Sequence, residues 1–142
     1  MTTVYKKTLL VGWADVDANA HMGNVAYLDM CVDLRLQFFA EHGFPVEAFR
    51  SGAIGPVVKK DELEYFREVG LLETLTGTLA LAGVADDGSR FRLRSEFFRA
   101  DGQLTARVTS TGGWLDLKAR RLIAPPEALL AALRLLGRTE DF

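Results

Sequence analysis

The stretch Trp13-Ala-Asp-Val-Asp-Ala-Asn-Ala-His-Met-Gly-Asn-Val-Ala-Tyr-Leu28 decides how this chain is read. Asp15, Asp17, Asn19, His21 and Gly23 crowd into one short loop, and a long, mostly apolar run starts behind Asn24. Asparagine is a favourable helix cap, and Gly43 with Pro45 supplies a stop, so the pattern predicts a helix over Asn24–Glu41. Ionisable side chains are thereby delivered beside the helix's first turn. Unpaired N–H groups and the positive end of the helix dipole can hold a developing negative charge there. That arrangement suits acyl transfer.

Along the helix Asp29, Asp33, Gln37 and Glu41 recur every four residues, a narrow polar stripe with Arg35 as the one charge well off it. A helix so apolar elsewhere must be enclosed on most of its sides. The enclosure is predicted from the flanking segments. Residues 4–13 read as a first strand, residues 54–69 as a second extended segment and residues 71–84 as a third. The turn Asp86-Asp-Gly-Ser89 leads to a fourth, where Phe91, Leu93, Ser95 and Phe97 alternate with Arg92, Arg94 and Glu96. Asp101-Gly102 marks a hairpin, and alternation resumes over residues 104–117. Pro125-Pro126 opens a short helix reaching Leu136. No repeat or linker divides the chain, so residues 1–142 are expected to form one α+β domain, a curved antiparallel sheet wrapped around one long central helix.

Several chemistries fail on the loop residues. Asp15, Asp17 and Asn19 have the first ligand spacings of a calcium loop, but Ala20 stands where that loop needs glycine and Ala26 where it needs a bidentate glutamate. A transition metal would want more His or Cys. There is no G-x-S-x-G elbow, and Cys31 falls inside the apolar helix, away from the loop. His42, beside Gly43, suits the negative end of the helix dipole.

The whole chain sets wider bounds. Its net charge of -2 mixes 17 basic with 19 acidic residues, so no global field argues for nucleic acid or an anionic membrane. A single cysteine excludes an internal disulfide. The opening Met-Thr-Thr-Val-Tyr-Lys-Lys lacks a signal-peptide core, and no apolar run reaches the roughly 20 residues that span a bilayer. A cytoplasmic protein is expected.

The pattern Asp15-x-Asp17-x-Asn19-x-His21-x-x-Asn24-x-x-Tyr27-Leu28 resembles the signature of hotdog-fold acyl thioesterases of the 4-hydroxybenzoyl-CoA thioesterase-like superfamily. Gly55-Pro56-Val57-Val58, Glu64-Tyr65-Phe66, Leu115-Asp116-Leu117, Arg120-Arg121 and Pro125 are similar as well, so the likeness covers nearly the whole chain. Two departures stand out from the family's G-H-[VM]-N-N: Ala20 replaces the glycine and Gly23 the first asparagine.

The resemblance implies a hotdog fold and hydrolysis of an acyl-CoA or acyl-carrier-protein thioester, with no metal or redox cofactor. By the same resemblance Asp17 is the catalytic carboxylate, as nucleophile or as base toward water. Asn19 orients that carboxylate or the water through its amide, His21 hydrogen-bonds the substrate or stabilises the charged loop, and the N–H groups around Asn24 and Val25 form an oxyanion hole. Tyr27, Gly55 and Val57 are expected on the acyl side, with Phe38, Phe39, Phe44 and Leu28 as further tunnel candidates. Lys59, Lys60, Arg120 and Arg121 are candidates for the carrier's phosphates. The family dimerises edge to edge, which implies a homodimer or a tetramer of dimers. Two other readings compete. An enoyl-thioester hydratase carries D-x-N-P-x-H, whereas here His21 follows Asn19 by two positions and the proline is absent. A non-catalytic acyl-thioester-binding module would not need Asp17, Asn19 and His21 together.

Overall fold

The computed structural model describes residues 4–142, so the first three residues of the N-terminal segment lie outside it. The elements run β1 (Tyr5–Leu10), α1 (Asn24–Glu41), α2 (Val46–Gly52), β2 (Ile54–Tyr65), β3 (Thr74–Val84), β4 (Arg90–Arg99), β5 (Leu104–Asp116), β6 (Arg121–Ile123) and α3 (Glu127–Arg134). All strand pairs are antiparallel, in the order β1-β3-β4-β5-β2. Strand β6 takes the lane that β4 vacates, pairing with Trp114 to Asp116 beyond the point where β4 starts opposite Gly113. Helix α1 lies over β3 and also meets β1 and β5, so the curved sheet wraps it. This is the hotdog arrangement that the resemblance implies.

The patterning explains the packing. In β4 the buried residues are Phe91, Leu93, Ser95 and Phe97, every second position, as alternation requires. Asp29, Asp33, Gln37 and Glu41 are all exposed, while Ala26, Tyr27, Met30, Cys31, Leu34, Phe38 and Phe39 are buried. One core cluster gathers Cys31, Leu34, Leu75, Phe97 and Val108 under the first half of α1. A second joins Phe38, Phe39, Phe44, Phe49 and Trp114 with Leu129 and Leu133 of α3. Trp114 is fully buried and satisfies its indole by donating Nε1–H to the Gly88 carbonyl at 3.0 Å. Enclosure of α1 is incomplete in the single chain: Val25, Val32 and Leu36 stay exposed on its flank. No helix among the described residues is long and apolar enough to cross a membrane.

Several boundaries differ from expectation. Strand β1 ends at Leu10 because Val11 turns to exchange bonds with the loop at residues 72–73, and Trp13–Asp15 then form a 3-10 turn. Strand β2 stops at Tyr65 instead of running to residue 69, since the Phe66 and Arg67 amides both bond the Thr105 carbonyl and the chain turns away. Helix α2, with Phe49 as its one buried residue, and the three-residue β6 were not expected; both are too short for a periodic signal. The cap of α1 also differs: Gly23 is the N-cap and Asn24 the first helical residue.

Candidate active site

The acidic loop is a tight reversal. Val16 and Met22 pair as an antiparallel bridge, the Asp17 N–H donates to the His21 carbonyl at 2.9 Å, and the Ala20 N–H donates to the Asp17 carbonyl at 3.0 Å. Ala20 closes the turn in the left-handed region at φ 65, which accounts for the glycine that the family prefers there. Asp15 is a brace. Its Oδ2 accepts the Gly12 N–H at 2.8 Å and its carbonyl accepts the Gly23 N–H at 3.0 Å, tying the loop to the start of α1.

Asp17 sits where that start is open. The Asn19 main-chain N–H donates to its Oδ1 at 2.8 Å. A Cβ built on Gly23 would lie 3.3 Å from Asp17 Cβ and 3.4 Å from Asp17 Oδ2, so the carboxylate rests against the N-cap. The first helical bond is Tyr27 N–H to the Gly23 carbonyl, and no side chain caps the helix. The N–H groups of Asn24, Val25 and Ala26 precede that bond and have no helical acceptor. A serine, aspartate or asparagine cap would occupy such donors; glycine leaves them for a ligand.

Asp17, His21, Gly23, Asn24 and Tyr27 share one cleft of about 560 Å³. Its opposite wall is the segment leaving β2: Tyr65, Phe66, Arg67 and Glu68. Met22, whose N–H donates to the Val69 carbonyl at 2.7 Å, ties the two walls together. His21 stands between them, with Nε2 3.8 Å from Glu68 Oε1. Tyr27 is buried edge-on against Phe97 with Tyr65 beside it, and burial raises its hydroxyl pKa above the ordinary tyrosine value. The cleft is therefore polar at the loop, aromatic at its floor and open to solvent at Asp17.

Other expected residues lie elsewhere. Asn19 is exposed and off the cleft wall, and its main-chain N–H, not its side-chain amide, holds Asp17. Val25 is exposed on the flank of α1. Gly55, Val57, Lys59 and Lys60 lie in the start and middle of β2, whereas the cleft meets only its far end, and Lys60 pairs with Glu62 at 3.0 Å. Arg120 and Arg121 are exposed at the turn into β6. Phe38 and Phe44 are core residues. Of the cleft's far wall, Arg67 and Glu68 carried no signal of their own in the sequence; the Glu64-Tyr65-Phe66 match stood directly before them. Cys31 is fully buried and its thiol is pushed up to about 11 by burial. His42 ends α1, with Nδ1 2.7 Å from the Phe38 carbonyl and its ring stacked on Phe38.

The chain is 28% identical over 130 residues to the L-carnitine dehydrogenase/betainyl-CoA thioesterase of Agrobacterium fabrum, covering 92% of this chain. It spans only 26% of that relative's length. Among solved structures, a hypothetical protein from Staphylococcus aureus characterised in complex with CoA superposes with a TM-score of 0.87 at 21% identity, covering 100% of this chain and 90% of the other. A 1,4-dihydroxy-2-naphthoyl-CoA thioesterase from Synechocystis superposes with a TM-score of 0.82 at 19% identity, covering 93% and 96%. These likenesses share the hotdog fold. The family model of the thioesterase-like superfamily matches residues 11–133, and the chain belongs to that superfamily.

Proposed function

We propose that this chain hydrolyses an acyl-CoA thioester to a free acid and CoA thiol, with Asp17 as the reactive carboxylate. The observation that carries the reading is the Asp17 carboxylate resting against Gly23, the uncapped start of α1, at the mouth of one cleft. With the thioester carbonyl oxygen directed at the free N–H groups of Asn24 and Val25, Asp17 takes a proton from water, and the water oxygen bonds to the thioester carbon. The carbonyl electron pair becomes the oxyanion held by those donors. Its collapse breaks the C–S bond and the departing thiolate takes up the proton. Attack by Asp17 itself, through an anhydride that water then opens, uses the same donors. One such donor is worth on the order of 3 kcal/mol in the transition state. His21, fixed between loop and far wall, contacts the thioester end of the substrate, and Arg67 on the cleft is suited to a carrier phosphate.

The proposed protein is a homodimer or a tetramer of dimers. Strand β2 pairs with β5 along one edge only, and no strand among the described residues covers its other edge. Antiparallel pairing of two copies about the middle of β2 would bring the Gly55 end of each strand to the Tyr65 end of the other. Gly55 would then lie opposite Glu64, at the edge of the neighbouring copy's cleft, with Val57 next along the strand, while Lys59 and Lys60 would meet at the two-fold axis between the copies. A carrier-protein thioester would present the same phosphopantetheine.

The test is thiol release over a panel of acyl-CoAs, including betainyl-CoA, with wild type and Asp17→Asn. Asparagine still accepts from the Asn19 N–H, so the loop keeps its shape while the base is lost. Turnover is expected to fall about a hundredfold or more, with KM little changed. Equal turnover in the variant would refute the assignment.

A further inference from the structure

The geometry points to Arg35 as a specificity-determining residue that selects acyl groups carrying a neutral oxygen, such as a hydroxyl or keto group, away from the thioester end. This rests on the hydrolase reading above. Beyond the cleft, a second cavity of about 190 Å³ opens between α1 and the first half of β2. Its walls are apolar, with Val32, Leu36, Phe39, Val58 and Trp114 prominent, and Arg35 is the single charged residue among them.

Both cavities open on the same seam. Tyr27 and Tyr65 bound the first, Arg35 and Val58 the second, and half-buried Leu28 and Leu63 lie between on α1 and β2. Arg35 follows Tyr27 by eight residues, about 12 Å along the helix axis. An extended acyl chain leaving the thioester along this seam therefore reaches Arg35 partway and ends in the apolar cavity.

The guanidinium is poorly satisfied by protein. Its Nη2 donates to Ser110 Oγ, which donates in turn to Asp61 Oδ1. Nε is buried with no acceptor, and Nη1 has none among the described residues. A cation with spare donors on the wall of an apolar cavity calls for an acceptor from the ligand. Asp61, linked through Ser110, already balances its charge. With that charge balanced, a carboxylate tail would bring an uncompensated negative charge into an apolar cavity, and a cationic tail would meet Arg35 itself. A neutral oxygen satisfies the donors without adding charge.

The experiment compares octanoyl-, decanoyl- and dodecanoyl-CoA with their ω-hydroxy counterparts by thiol release, using wild type and Arg35→Met. Wild type is expected to favour the hydroxylated ester about tenfold or more in kcat/KM at the length that sets the oxygen beside Arg35. In the variant that ratio should fall to near one. Thiol release with no oxygen preference at any length in wild type overturns the inference alone, and is the result expected if a second copy's side chains fill the cavity. The same preference surviving in Arg35→Met also overturns it. Absence of thiol release from every ester overturns the hydrolase reading and this inference together. The wild-type comparison decides even if the variant folds poorly.

Discussion

Asp17 and Gly23 are in near contact: a side-chain carbon on the glycine would come within 3.3 Å of Asp17 Cβ and 3.4 Å of Oδ2. The carboxylate and the helix start are positioned by each other, and the smallness of residue 23 sets their spacing.

Gly23→Ala tests that spacing. The glycine's backbone, at φ -90 and ψ 166, is open to any residue, so no strain arises from the main chain. The loop must give by a few tenths of an ångström, which moves the carboxylate. Thermal unfolding should change little, while kcat on acyl-CoA should fall several-fold. Unchanged kcat would separate the carboxylate's position from the rate.

Cys31 should be silent in the thiol assay that reports CoA release. Burial pushes its thiol up to about 11, so at neutral pH the thiolate is scarce as well as enclosed. The native protein is expected to leave a disulfide dye unreacted for minutes, and to titrate as one thiol per chain after denaturation. Immediate reaction of the native protein would contradict the packing of α1.

Gly112 lies opposite an irregularity in β2, where the register to β5 shifts between Val58 and Lys60. A Cβ there would sit 2.0 Å from the Val57 carbonyl oxygen. Gly112→Ala should cost about 3 kcal/mol or more, because backbone must move to make room. Gly102→Ala, at φ +85 in open space, should cost only about 1 kcal/mol of conformational strain. Urea unfolding midpoints of the two variants measure the contrast.

The unpaired edge of β2 predicts a dimer at micromolar concentration by sedimentation. A wild type that sediments as a monomer would remove Gly55 and Val57 from the site altogether.

Helix α1 was legible because its apolar run is long, its polar stripe regular and its ends punctuated. The loop was legible because Asp15, Asp17 and His21 stand close in sequence, so the fold had little freedom to separate them. The cap was not. Gly23 and Asn24 are adjacent candidates, and the choice depends on the Asp15 carbonyl binding the Gly23 N–H, a contact that no periodicity announces. Nor was the far wall. Phe66 to Glu68 reach the cleft only because Met22 bonds to Val69, a pairing between distant segments. Lys59 and Lys60 carry the charge wanted near a phosphate, yet within one chain β2 sets them away from the cleft.

The bond from the Asn19 main chain to Asp17 has a consequence for how this loop can vary. A peptide N–H is supplied by every residue except proline, so the aim of the carboxylate is written in the path of the turn and not in the chemistry of its neighbours. Residues 18 and 19 can drift, or be replaced to reshape the entrance, without loosening the group on which hydrolysis would depend.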